Sequence, residues 1–339
     1  MGKTSIKELS KLTGFSATTV SMVLNGSADH YKIAKKTQEM ILSVAQEHNY
    51  IPNLHARNLR NKISNIIALM IPTLTNRFFS EMAETFEQLA RMNDKFHLIT
   101  VTHHDEEEEL KAIDYFITQN ADCIFTANPM AQEAVSRRCT EAGVKQVILD
   151  AAGGNKNMVT TDNFNAARIL THNLIVAMEK CKATPKGIYY IGGTEKHEVT
   201  KLRFQGFLKA IEERERPYLE DLFIPCDFNP EAAHRATKDL FAAQEDIGGL
   251  FINSLQAMEG VIRFFTEDLD KLPRVHLGVF DYHPFIQILD LNIISVMQDA
   301  NQMMQMAFEL YSNTAANGDQ GKAYYSPYKI ICSQKAREV

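Results

Sequence analysis

Between Ser16 and Met22 the chain reads SATTVSM, a cluster of hydroxyl-bearing and small side chains. Hydroxyls both donate and accept hydrogen bonds, and alanine adds almost no bulk. A helix presenting Ala17, Thr18, Ser21 and Met22 on one face can therefore bring its backbone close to the base edges of a DNA major groove. That chemistry is recognition rather than bond breaking, and the residues on either side supply elements to position it. Thr4 reads as the N-cap of a first helix, with Ile6, Leu9 and Leu12 on one face and Lys7 and Glu8 exposed. Gly14 supplies a turn at positive φ, Phe15 plugs a small core, and Ser16 caps a second helix from Ala17 to about Leu24, whose Val20, Val23 and Leu24 face inward. The result is a helix-turn-helix, although an ordinary helical hairpin would show the same pattern. Thr4, Ser16, Thr19, Asn25 and Tyr31 complete the expected DNA-contacting set.

Residues 49–62, NYIPNLHARNLRNK, separate these readings. Pro52 forbids continuation of the preceding helix, and Asn53 can cap a short new one through His55, Ala56, Arg57 and Asn58 to Leu59. A helix-turn-helix followed by a YxPN segment and a short helix ending in leucine resembles the LacI family of bacterial repressors. The resemblance implies a hinge helix, formed by residues 51–63, that pairs with its dimer mate in the minor groove. Leu59 would be the wedge between base steps, Asn53, His55 and Ala56 would lie at the DNA, and Arg57, Arg60 and Lys62 would sit near phosphates. A solvated linker helix is the plainer alternative. Charge favours a nucleic-acid surface at this end: residues 1–62 carry nine Lys and Arg against four Asp and Glu, leaving 27 against 38 for the rest of the chain.

With 339 residues and 45% hydrophobic content, the chain can bury a full core beyond a head of about 60 residues. No secretory segment opens it and no apolar run approaches membrane-spanning length, so a cytoplasmic, bacterial, nucleoid-associated protein is expected. Cys123, Cys139, Cys181, Cys226 and Cys332 are scattered without a CxxC pair and read as packing residues in a reducing compartment. His103 and His104 lack a third ligand at suitable spacing, so neither metal nor cofactor is expected. Neither GxGxxG nor GxSxG occurs, which argues against an enzyme on an α/β frame. A sugar-binding transport protein would account for residues 64–339, but it would need export and would not carry the head.

From Ile66 the pattern alternates apolar strands with amphipathic helices: IIALMI and a helix from about Phe79, FHLITV and Glu106–Gln119, DCIFTA and Gln132–Ala142, then KQVILD. A second such series starts near Lys186 with GIYYIGG and reaches GLFIN and HLGVF. Parallel α/β structure in two lobes with a cleft between them follows. The LacI resemblance implies the same: an all-α helix-turn-helix head (1–50), the hinge helix, and a two-lobed sensor similar to periplasmic sugar-binding proteins (64–339). Its first lobe is expected over about 64–163 and 296–324, its second over about 164–295 and 325–333, with a final helix from about Asp299 to Asn313 returning to the first. GSADHYKIAKKT, HARNLR, VFDYH and SVMQDANQ resemble the matching segments of the family's sucrose-operon and fructose repressor branch, which implies a sucrose or fructose regulon.

The resemblance also assigns an effector pocket. Phe78 and Phe228 would stack on the ligand from the two lobes, Arg203 would serve a sugar hydroxyl or a ligand anion, and Thr126, Asp150, Asn253, Asp281 and Gln298 would supply polar groups. Many relatives carry Asp-Arg where this chain has Asp150-Ala151. The missing cation favours a neutral fructose-type ligand, although a bidentate Arg203 would still accommodate fructose 1-phosphate. The expected protein is a homodimeric repressor of a sucrose or fructose operon, released from a pseudo-palindromic operator by fructose, a fructose phosphate or a sucrose-derived sugar. A purine-type corepressor would act with the opposite sign. Because YKIICS lies close to residue 339, a dimer without an added tetramerising helix is expected.

Overall fold

The computed structural model describes residues 4–50, 64–153, 157–180, 187–216, 221–267, 275–317, 322–333 and 336. Their contacts form two compact units, Met1–Asn65 and Ile66–Val339.

In the first unit, α1 (Ile6–Thr13) is capped by Ser5 rather than Thr4. The Glu8 N–H donates to Ser5 Oγ at 3.2 Å and the Ser5 N–H donates to the Glu8 carboxylate at 2.7 Å. This reciprocal box needs an acceptor three residues after the cap; Ser5 finds Glu8 there, whereas Thr4 would find Lys7, which only donates. The Thr4 hydroxyl instead donates to the carbonyl of His48, which ends α3 (Lys35–Glu47), at 3.1 Å. Gly14 ends α1 at φ +74°, and Ser16 accepts the Thr19 N–H at 3.1 Å to start α2 (Ala17–Leu24). Leu9, Val20, Val23, Ile41 and Ala45 close the core, with Phe15 packed against it. So small a core covers Leu9 completely but leaves Leu12, expected on the same face, 52% exposed.

The second unit holds two six-stranded sheets. The first is wholly parallel, in the order β11 (Ala323–Ser326), β5 (Met158–Thr161), β4 (Lys145–Leu149), β3 (Cys123–Ala127), β1 (Ile66–Ile71), β2 (Phe96–Val101). The second runs β12 (Tyr328–Cys332), β10 (Ile293–Gln298), β9 (His276–Phe280), β8 (Ile247–Ile252), β6 (Gly187–Ile191), β7 (Phe223–Ile224), and only its β10–β12 pair is antiparallel. The central strands are apolar on both faces because helices cover both sides. Helix α4 (Arg77–Met92), α5 (Glu106–Thr118), α6 (Gln132–Glu141) and the late α11 (Ala300–Asn317) pack the first sheet; α7 (Asn163–Lys180), α8 (Glu198–Glu213), α9 (Pro230–Ala243) and α10 (Leu255–Glu267) pack the second.

Three segments cross between the lobes, after Thr161, after Gln298 and between Ser326 and Tyr328. Gln298 is therefore still part of the second sheet, so the return to the first lobe falls after it rather than near residue 296. The crossings are tied together: Thr161 Oγ1 donates to Gln298 Oε1 at 2.5 Å, and Ser326 Oγ donates to the Asp299 carbonyl at 3.4 Å. Cys123, Cys139 and Cys226 are buried free thiols and Cys332 is half-buried; Cys181 lies outside the described residues.

Candidate functional site

On the head, α2 turns Ala17 and Thr18 outward, with Ser16 exposed before them and Met22 half-buried. Thr19 is half-buried, its hydroxyl 2.8 Å from that of Ser16. Ser21 departs from expectation: it is 7% exposed, because Asn25, one turn on, folds back and donates to its Oγ at 3.1 Å. The outward face of α2 thus comprises Ala17, Thr18 and part of Met22, with Asn25 exposed at its end. Tyr31 is 56% exposed and meets His30 edge-on. Lys7, Lys11, Lys32 and Lys36 are exposed on the same unit. Asn53, His55, Ala56, Arg57, Leu59 and Arg60 lie outside the described residues.

In the body, polar side chains converge where the strands of both sheets end. Ligands of open α/β sheets bind in the crevice beyond the carboxyl ends of their strands, and here two such edges face each other. Asp150 follows β4, Asn128 follows β3, His104 follows β2, Asp281 follows β9 and Phe228 follows β7. All five have positive φ, between 46° and 78°, a region that non-glycine residues seldom occupy and that gathers at functional sites.

Arg203, on α8 and 4% exposed, is the pivot of the second lobe. Its Nε donates to Asn163 Oδ1 at 2.8 Å, its Nη1 donates to the Asn253 carbonyl at 2.9 Å, and its guanidinium lies 3.6 Å from the Phe280 ring centroid. Its Nη2 is 3.9 Å from Asp150 Oδ1 of the first lobe. Asn253 is fully buried and held by the Tyr190 hydroxyl, which donates to its Oδ1 at 2.8 Å; it acts as the mount for Arg203. Both bidentate edges of the guanidinium, Nε–Nη2 and Nη1–Nη2, are thereby partly occupied. On either edge a phosphate would therefore meet one donor already engaged by a neighbouring backbone or amide acceptor.

Asp281 is the second cross-lobe tie. Asn76, at the start of α4, donates to its Oδ2 at 3.1 Å, and Gln298 donates to its Oδ1 at 2.6 Å. Asp150 is 2% exposed, and Asn128 Nδ2 donates both to its carbonyl at 3.1 Å and to its carboxylate Oδ2 at 2.9 Å; its Oδ1 has no hydrogen-bond partner among the described residues. Burial pushes its carboxyl up, against the lowering effect of Arg203. The third tie is aromatic: His104 of the first lobe stacks on Phe228 of the second, with centroids 4.9 Å apart and planes inclined by 13°, and His197 meets Phe228 edge-on at 5.8 Å. Burial lowers His104 to about 4 and His197 to about 3, with Arg203 adding to the effect on His197, so both imidazoles are neutral near pH 7.

Two residues expected in this cleft are placed elsewhere. Thr126 is fully buried in β3, where Gln146 Nε2 donates to its hydroxyl at 3.0 Å, so its polar group is consumed on the face of the sheet. Phe78 is 5% exposed, packs on Phe79 at 5.1 Å and belongs to the first-lobe core. Sequence reasoning missed Asn76, Asn128 and Asn163, and it weighed His104 only as a metal ligand. The strand-end positions of Asn128 and His104 were a usable signal; the partners they meet were not. Among the described residues no group of three or more His, Cys, Asp or Glu is placed to hold a metal ion. Beside the Asn76–Asp281 bond, a cavity of about 880 Å³ is lined by Thr75, Arg77 and Ser80 from the first lobe and by Met258, Ile262 and Phe285 from the second.

A basic helix-turn-helix unit joined in one chain to a two-lobed α/β unit with a polar cleft defines a ligand-responsive DNA-binding regulator. Residues 5–53 match the family described as bacterial regulatory proteins, lacI family, and residues 67–319 match the periplasmic binding protein domain. The ribitol operon repressor of Klebsiella aerogenes is 33% identical over 193 residues, 57% of this chain and 72% of that protein. The sucrose operon repressor of Klebsiella pneumoniae is 26% identical, covering 91% of this chain and 92% of its own length. The fructose operon regulatory protein of Vibrio cholerae is also 26% identical, covering 97% and 98%. Among solved structures, the lac repressor dimer bound to operator and an anti-inducer superposes with a TM-score of 0.81 over 98% of this chain and 99% of its own, at 16% identity. The chain belongs to the LacI family, as a DNA-binding transcriptional repressor rather than an enzyme. No helix among the described residues is long and apolar enough to cross a membrane.

Proposed function

We propose that this repressor controls an operon for the use of a fructose-type sugar or a related polyol, and that the cleft between its lobes is the effector site. The observation that carries the reading is the convergence of Arg203, Asp150, Asp281 and the His104–Phe228 stack from both lobes, held by bonds that form only when the lobes approach. A ligand bound there acts on the three crossing segments, and so on the lobe arrangement that DNA selects. Linkage requires the effector to weaken operator binding by the same factor that operator weakens effector binding. Support for the sugar class comes from the names of the relatives, operon repressors for ribitol and sucrose and a fructose operon regulator.

The DNA face consists of Ala17, Thr18 and Met22 for base edges, with Ser16, Thr19, Asn25, Tyr31 and the hinge residues Asn53, His55, Ala56, Arg57, Leu59 and Arg60 at backbone and minor groove. The repressor acts as a homodimer. Supporting this, Phe96 and Ile99 on edge strand β2 are 53% and 38% exposed, and Met92 and Tyr115 on the adjoining helices are 79% and 52% exposed. An open apolar sheet edge of this kind is normally covered by a partner.

The test is selection of a binding site from random duplexes, followed by fluorescence-anisotropy titration on the selected DNA with fructose, fructose 1-phosphate, fructose 6-phosphate, sucrose, ribitol and a purine. A pseudo-palindrome released by one sugar or polyol is expected. Tighter binding with the purine would make the protein a corepressor-dependent regulator, and failure to select any palindrome would overturn the proposal.

A further inference from the structure

We propose that the ligand of this cleft is a neutral polyol rather than a phosphate ester, and that His104 and His197 share its hydroxyls with Asp150. The inference rests on the reading of the cleft as the effector site.

The charge count is the first argument. Two buried carboxylates, Asp150 and Asp281, face one buried guanidinium, Arg203, all 5% exposed or less. Arg203 Nε and Nη1 already donate to Asn163 and Asn253, and Nη2 points toward Asp150. A phosphate reaching that guanidinium would find no free pair of parallel donors and would place its charge beside Asp150 Oδ1, where little water screens the repulsion.

Unused hydrogen-bonding capacity is the second. Asp281 has both oxygens engaged, by Gln298 and Asn76, whereas Asp150 Oδ1 accepts nothing among the described residues. Both ring nitrogens of His104 and Nδ1 of His197 are also buried without a hydrogen-bond partner. A buried polar atom is costly unless paired, so these four atoms are suited to a ligand. A neutral imidazole offers one donor and one acceptor, and a hydroxyl supplies the complement to each; a carboxylate accepts hydroxyl protons. Phe228, between the two histidines, provides the apolar face that the C–H side of a polyol covers.

The experiment is isothermal titration of the full chain with matched pairs: fructose against its 1- and 6-phosphates, and ribitol against ribitol 5-phosphate. The tightest neutral compound is expected to bind at least about tenfold more strongly than its own phosphate ester. His104→Phe, which keeps the stack on Phe228 and removes both nitrogens, should weaken that binding about tenfold. Asp150→Asn, checked for folding by circular dichroism, should weaken the polyol and narrow its advantage over the ester. An ester binding more tightly than its parent, binding by no neutral polyol, or full affinity in the His104→Phe variant would overturn the inference. Operator binding in the same samples keeps the outcomes apart: loss of polyol binding with operator binding intact counts against this ligand assignment alone, while absent operator binding counts against the repressor reading.

Discussion

Arg203 illustrates how one side chain couples the lobes while making no strong bond across them. Its hydrogen bonds to Asn163 and Asn253 fix it in the second lobe, and only the 3.9 Å approach to Asp150 reaches the first. Arg203→Lys keeps the charge but loses the planar fork, so we expect effector response to fall by about tenfold or more while operator affinity without effector is retained; anisotropy titrations with and without ligand check this. The histidines make a second prediction. In the unfolded chain each imidazole titrates near its ordinary value of about 6.5. In the folded body His104 is lowered to about 4 and His197 to about 3, mainly by burial. Below about pH 6.5 the unfolded state then binds more protons than the native state, so this contribution to stability is present near neutrality and is lost as pH falls toward 4. Asp150, pushed up by burial, works in the opposite sense at the acidic end. The difference between the unfolding midpoints of wild type and His104→Phe, followed from pH 7 to pH 4.5, isolates the His104 share; it should move in favour of the variant on acidification, and a constant difference would count against it.

At the scale of elements, one close approach and one helix cap are decisive. The helices α7 and α8 cross at Gly206, where a Cβ would stand 2.2 Å from the Phe164 carbonyl oxygen and 3.0 Å from the Arg168 nitrogen. Both are backbone atoms that cannot move aside alone. Gly206→Ala must push α8 outward and, since Arg203 lies one turn earlier on the same helix, displace the guanidinium as well. We expect a loss of about 1–3 kcal/mol in body stability, read by denaturant unfolding, together with weakened effector response. In the head, the Ser5–Glu8 box satisfies donors that α1 would otherwise leave open. Ser5→Ala should lower head stability by about 1 kcal/mol, measured by thermal unfolding of the full chain followed by amide exchange in residues 6–24, with little change in the body.

The whole molecule divides its charge by task, with a basic head and an acidic body. Operator affinity should therefore fall steeply with salt, whereas affinity for a neutral effector should hardly change; parallel titrations at two ionic strengths compare the slopes. Dimerisation belongs to this scale too. Placing a charge in the open β2 edge by Phe96→Glu should shift the sedimentation profile toward monomer and weaken operator binding, because two half-sites are no longer engaged by one particle. An unchanged sedimentation profile would place the dimer contact on another face.

Caps, turns and apolar periodicity are local, and they were enough to locate the helix-turn-helix with its second helix at Ala17–Leu24 and the alternation of strands and helices from Ile66; the return to the first lobe, expected from about residue 296, falls after Gln298. Even there, the choice of Ser5 over Thr4 was legible only to a reading that asked which residue stood three positions on. The cleft is different in kind. Asn76 and Asp281 are 205 residues apart in sequence, His104 and Phe228 come from opposite lobes, and Ser21 and Thr126 lose their hydroxyls to neighbours rather than to a ligand. Neither residue type nor spacing states that Asp150 will keep one oxygen without a hydrogen bond while Arg203 commits one donor on each side of its fork to Asn163 and Asn253. Those facts depend on how two separately packed sheets meet, and they were decided by the tertiary structure because a buried polar group is defined by the partners the fold brings to it.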